Sequence, residues 1–107
     1  MEKKIENIVK HAEVSEKAIE RYLVNVVKQL GGVCLKYSNS NEVGYPDRVA
    51  LMPQGRTIWI ELKSRGRRPS KVQRVRFGQM ADIGHPVYVL GCKEEVDNVF
   101  KSLGYDL

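Results

Sequence analysis

The stretch GYPDRVALMPQGRTIWIELKS, residues 44–64, decides the fold. Branched and aromatic residues recur through it (Val49, Leu51, Ile58, Trp59, Ile60), the types that suit a pleated, half-buried surface. Between its two apolar runs lies Met52-Pro53-Gln54-Gly55-Arg56, where Pro and Gly supply turn chemistry. The segment reads as a β-hairpin with strands near 46–52 and 56–63. With Gln54 at the midpoint, Asp47 falls opposite Glu61, and directly opposed residues place their Cβ atoms roughly 4.5–5.5 Å apart. Side chains alternate along a strand, which puts Lys63 on the same face as Glu61. Acidic residues are depleted in strands, so two facing carboxylates and a lysine need either partners or a task.

Upstream, residues 3–11 carry Ile5, Ile8 and Val9 on one side of a short helix. Ser15 is a candidate N-cap for a second helix over 16–30, where Ile19, Leu23, Val26, Val27 and Leu30 keep helical spacing and Gly31-Gly32 is a stop signal. VCLKY, 33–37, reads as a short strand and SNSNEVG, 38–44, as a polar loop. Downstream, Ser64 to Pro69 is an exposed loop, and Ser70 opens a helix to about residue 83, with Ser70-x-x-Gln73 fitting a capping box. PVYVLG, 86–91, is a buried-type strand, and 93–103 a last helix through Val96, Val99, Phe100 and Leu103. The order α-α-β-β-β-α-β-α predicts an α/β fold, a mixed sheet flanked by helices, whose last two strands form a right-handed parallel crossover.

A length of 107 residues suits a single domain, 1–107, with one core. No apolar run approaches the roughly 20 residues that cross a bilayer, and MEKKIENIVK has no apolar signal-peptide region. Cys34 and Cys92 form no C-x-x-C, and His11 and His85 are scattered, which argues against a zinc site and suits a reducing cytoplasm. The formal charge of +5 is concentrated: KSRGRRPSKVQRVR, 63–76, holds seven basic residues (Lys63, Arg65, Arg67, Arg68, Lys71, Arg74, Arg76) and no acid. Such a cluster is either a solvated face or a surface for phosphate backbones, where Lys and Arg displace condensed counterions.

Two close carboxylates repel, and a sheet gains nothing from the pair unless a divalent cation joins it. Hard Mg²⁺ or Mn²⁺ is held by one or two carboxylates together with waters and substrate phosphate. It polarises a phosphoryl oxygen and lowers the pKa of a bound water, and a nearby lysine orients that water or stabilises charge on phosphorus. The alternative is a surface hairpin with ion pairs Asp47–Lys63 and Glu61–Arg48.

Pro46-Asp47 followed fourteen residues later by Glu61-Leu62-Lys63 matches the PD-(D/E)xK nuclease signature. The wider context, GYPDRVALMPQGRTIWIELKSRGRRPSKVQ, resembles the VRR-NUC family of virus-type replication-repair nucleases, and the resemblance runs from about Glu16 to Val89. It implies a restriction-endonuclease-like core of the kind found in stand-alone phage and bacterial members. It also implies Asp47 and Glu61 as metal ligands, the Leu62 carbonyl as a third, and Lys63 as the catalytic lysine. Family members carry a further glutamate on the helix before the sheet. Glu16 and Glu20 both qualify; Glu20 is preferred, as ligand and catalytic acid, because related archaeal-type junction resolvases place that acid at a similar distance before the helix-ending glycine, here Gly31. Gln73 has two readings: N3 of its capping box, or the family glutamine that points into the site. One side chain is expected to serve mainly one of them, and the site is preferred, which makes Gln73 a candidate catalytic residue. Lys36 and Ser38 lie where the family often has a lysine and serine that contact a scissile-strand phosphate, and Tyr45 replaces the commoner small residue before the PD pair.

These readings converge on a Mg²⁺-dependent DNA endonuclease, with Mn²⁺ substituting and no small-molecule cofactor. Arg65, Arg67, Arg68, Lys71 and Arg74 are expected on the DNA backbone with Lys36 and Ser38. The chain has no separate base-reading helix, which favours recognition of DNA shape over sequence. Similarity to dimeric resolvases, and the two cuts a four-way junction requires, point to a homodimer acting on branched DNA, with a Holliday junction as substrate. The rivals are a flap, nick or duplex nuclease of the same fold and a non-catalytic DNA-binding module. Candidate interface residues are Ile5, Ile8 and Val9 at one end, and Val99, Phe100 and Leu103 at the other; the alternative is that both sets pack on the chain's own sheet.

Overall fold

The computed structural model describes the backbone of residues 2–64 and 66–107, and side-chain environments from residue 16 onward except at residue 65. The hairpin is formed by β2 (Arg48–Met52) and β3 (Arg56–Leu62), joined by a 3₁₀ turn over Pro53–Gly55. Gln54, at φ 66°, turns the chain in the left-handed region. The register runs from Met52 opposite Arg56 to Arg48 opposite Ile60, as the Gln54 midpoint requires. β1 (Val33–Lys36) pairs antiparallel with β2, and β4 (Val87–Leu90) pairs parallel with β3, giving a mixed sheet in the order β1-β2-β3-β4.

The helices keep the expected order around this sheet: α1 (Glu2–Gln29), α2 (Lys71–Asp82) and α3 (Lys93–Ser102). The two helical segments expected before the sheet run as one, and Ser15 sits inside α1 as no cap at all. The intervening Ala12-Glu13-Val14-Ser15 contains no Gly or Pro, so nothing in the backbone forces a break there. α1 ends where expected. The Gly31 N–H donates to the Lys28 carbonyl and the Gly32 N–H to the Val27 carbonyl, with Gly31 at φ 86°, a Schellman ending.

Strand alternation divides the sheet into two faces. Ala50, Met52, Ile58, Ile60, Leu62 and Leu90 are buried against Ile19, Leu23, Val26 and Val27 of α1 and Val96 and Phe100 of α3, and this is the core. Phe100 is fully buried, and Val99 and Leu103 pack on the same cluster. The C-terminal apolar residues expected as a dimer surface are therefore spent on the chain's own core, because helical spacing turns them toward the sheet. Ile5, Ile8 and Val9 lie outside the residues whose side chains are described. Glu61 and Lys63 alternate with the core residues, so they project from the opposite face, over which α2 crosses. No helix among the described residues is long and apolar enough to cross a membrane.

Candidate active site

The candidate side chains Asp47, Glu61 and Lys63 gather where β2 begins and β3 ends. Glu61 is 3% exposed, and its hydrogen-bond and ion-pair partners among the described residues are all donors. Its Oε1 accepts the Asp47 N–H at 3.1 Å, and its Oε2 accepts Gln73 Nε2 at 3.0 Å and lies 3.0 Å from Lys63 Nζ. Asp47 sits one residue before β2, and its Oδ1 accepts the Leu62 N–H at a long 3.4 Å. The facing carboxylates are thus each tied to a main-chain N–H of the other's strand. Burial, then the negative charge of Glu61, push the Asp47 carboxyl up to about 6.

Gln73 makes the capping contacts and the contact to Glu61 at once. Its Oε1 accepts the Ser70 N–H at 3.0 Å, and its own N–H bonds to Ser70 Oγ at 3.1 Å, completing the capping box. Its Nε2 meanwhile reaches Glu61. The expectation that one role would dominate fails because an amide keeps its acceptor and its donors on different atoms.

Glu20 comes from α1 on the other face. Its Oε1 is paired with Arg48 Nη2 and lies 3.8 Å from Lys36 Nζ. The Arg48 hydrogen bond holds its carboxyl below the usual glutamate range. Glu16 and Glu20 line one cleft together with Lys36, Tyr37, Ser38, Asp47, Arg48 and Leu62. The helix acids and Asp47 therefore border the same opening. Glu20 is nonetheless not gathered with Asp47 and Glu61, and no group of three or more His, Cys, Asp or Glu close enough to hold an ion occurs among the described residues. What the site offers a metal is Asp47, Glu61 and main-chain oxygen. That oxygen-only set, with two carboxylates facing each other, fits a hard ion that keeps several waters.

No family model matches the chain. A protein of Acyrthosiphon pisum secondary endosymbiont phage 1, named "Putative nuclease p44", is 32% identical over 81 residues, spanning 76% of this chain and 87% of the phage protein. A solved structure described as "VRR_NUC domain" superposes with a TM-score of 0.77 at 25% identity, over 84% of this chain and 97% of its own. The chain belongs to the VRR-NUC nuclease family.

In this VRR-NUC chain Arg67, Arg68, Lys71 and Arg74 are exposed around the start of α2, while Arg65 lies outside the described residues. Arg76, part of the same basic run, is engaged elsewhere. Its Nε donates to the Val43 carbonyl at 3.1 Å, and its guanidinium lies 5.1 Å from the Tyr45 ring centroid. Tyr45 packs edge-on against Tyr37, and Tyr37 against Trp59 of β3. Arg76 thus fastens the loop that delivers Pro46-Asp47. Gly44 permits this approach: it sits at φ 95°, and a Cβ there would come within 2.7 Å of Arg76 Cγ and 2.9 Å of Val72 Cγ1. In sequence Arg76 shows only its charge, since the partners that give it this role lie some thirty residues away.

Arg48 corrects a second expectation. It is 8% exposed and pairs with Glu20, whereas a plain surface hairpin would pair it with Glu61. The register explains the difference. Arg48 faces Ile60, a core residue, so its side chain leaves the sheet on the α1 side and away from Glu61. The other ion pair of a surface hairpin, Asp47–Lys63, is likewise replaced by Glu61–Lys63.

Proposed function

We propose that this nuclease is a Mg²⁺-dependent, structure-specific DNA endonuclease that works as a dimeric Holliday-junction resolvase. The observation that carries the reading is the facing pair Asp47 and Glu61, with Lys63 and Gln73 on Glu61. An acid pair built this close is a poor device for stability, and the raised Asp47 carboxyl is its electrostatic mark. Asp47, Glu61 and the Leu62 carbonyl are the groups that would hold the ion, with Mn²⁺ as a substitute. A divalent ion bound there supplies a Lewis acid for the scissile phosphate and a water of lowered pKa.

The chain's own residues supply the rest. The Lys63 ammonium, anchored on Glu61, stabilises negative charge at phosphorus or orients the attacking water. Gln73 locks the Glu61 carboxylate, so the group need not reorganise as charge develops. Lys36 and Ser38, at the cleft rim, contact a phosphate of the cut strand, and Arg67, Arg68, Lys71 and Arg74 hold the backbone beyond it. Glu20 joins as ligand or catalytic acid only on exchanging Arg48.

Asp47→Ala and Glu61→Ala should each abolish Mg²⁺-dependent cleavage and leave DNA binding intact or tighter, since a negative charge near the phosphate is gone. Cleavage by Asp47→Ala at near the wild-type rate overturns the assignment. Comparing a synthetic four-way junction with a duplex of equal length separates a resolvase from a duplex nuclease. Binding without turnover of either substrate would leave a DNA-binding module.

A further inference from the structure

We propose that α1 carries a second DNA-contact surface, in which Lys17, Arg21 and Lys28 hold the phosphate backbone of an arm that leaves the cleft on the side of the sheet away from α2. The proposal rests on the nuclease reading above and adds the shape of the DNA that the site accepts.

The helix is two-sided. Ile19, Leu23, Val26 and Val27 are buried in the core. Lys17, Arg21, Asn25 and Lys28 are exposed, and their spacing of i, i+4, i+8 and i+11 sets them along the opposite side. This stripe does not stand alone. Lys17, Arg21, Val24 and Asn25 line a depression whose remaining wall is Glu20 and Arg48. Glu20 and Arg48 also line the cleft that holds Asp47. The two hollows therefore share the Glu20–Arg48 pair as a common wall, and a chain of phosphates leading away from Asp47 has only to pass that pair to reach α1. Of the two helix acids on that path, Glu20 is paired with Arg48 and Lys36, and Glu16 is exposed at the cleft. Against Glu16 stand Lys17, Arg21 and Lys28, so the exposed side of α1 is positive on balance.

The basic residues that open α2 serve the other face of the sheet, the one from which Gln73 reaches Glu61. A straight duplex laid along that face runs over one side of the sheet only. DNA that also reaches α1 has to turn or branch at the cleft between them. Backbone contacts of this kind carry no sequence information, so they would select shape. The bland outcome is that Lys17, Arg21 and Lys28 are solvated charges of a surface helix.

The test is the double variant Lys17→Ala/Arg21→Ala, whose positions are exposed and whose thermal midpoint should stay at the wild-type value. Binding is measured in EDTA, where nothing is cut, to a four-way junction and to a duplex of equal length, over about 50 to 200 mM salt. Each phosphate contact contributes about 0.9 to the log–log salt slope, so the junction slope should fall by about two while the duplex slope stays unchanged. Lys17→Arg/Arg21→Lys should keep the wild-type slope on both. An unchanged junction slope, or equal falls on junction and duplex, overturns the proposal. Mg²⁺ cleavage by the wild-type protein is scored separately, so a failure of the nuclease reading is told apart from a failure of the α1 surface.

Discussion

Asp47 and Glu61 are legible in the sequence because register is arithmetic once the turn is fixed, and Pro53 and Gly55 fix it. Their electrostatic relation has a measurable consequence. The Asp47 carboxyl lies near 6 in the folded protein, against roughly 4 in an unfolded chain. Between these values the native state binds more protons than the unfolded one, so metal-free stability should fall as pH rises from about 4 to 6 and then level off. Asp47 is exposed to solvent, which keeps the effect modest. Asp47→Asn should remove that slope and be the more stable protein above pH 6. Urea midpoints in EDTA across this range check it, and parallel curves for the two proteins would sink it. Gln73 allows a second separation. Ser70→Ala removes the cap alone and should cost about 1 kcal/mol with turnover near normal. Gln73→Ala removes the cap and the Glu61 hydrogen bond together, so at similar stability its turnover should fall by at least about tenfold. Equal turnover in the two variants would confine Gln73 to capping. The contact to Glu61 enters the sequence reading only through the family resemblance, because a capping-box pattern reports on the backbone of α2 and says nothing of what lies across from it.

Among the elements, the strands are readable from sequence and the extent of the N-terminal helix is not. Alternation and turn residues mark β2 and β3 on both sides, whereas a helix boundary at Ser15 rests on a cap residue with no breaker beside it. The loop over 38–44 is readable only as polar. Asn39 accepts the Asn41 and Glu42 N–H groups within it, while Arg76 and the close approach at Gly44 fix it on α2. This divides the basic run into parts with different expected effects. Arg67→Ala/Arg68→Ala should weaken binding to every DNA alike and reduce the salt slope by about one for each phosphate no longer held. Arg76→Ala should leave that slope almost intact and lower turnover, because it loosens the loop that presents Asp47. If both variants change the salt slope equally, Arg76 belongs with the DNA-binding residues after all.

At the scale of the whole molecule the open matter is assembly. A four-way junction is resolved by two cuts in opposed strands, and one chain brings one Asp47–Glu61 cluster. A two-fold dimer presents two, related by the symmetry that the junction itself has. The apolar surface of such a dimer is not supplied by Phe100 and its neighbours, which fill the core beneath α3. The prediction is a mass in solution of twice the chain, together with paired nicks in opposed strands of a junction labelled on each strand in turn. Mixed dimers sharpen it. Wild-type chains combined with Asp47→Ala chains should nick one strand and stop, since each site cuts its own strand. A monomer that trims flaps and ignores the junction would remove the resolvase claim and leave the chemistry of Asp47, Glu61 and Lys63 in place. Double cutting by the mixed dimer would mean that one cluster visits both strands in turn, and the symmetry argument would then have no force.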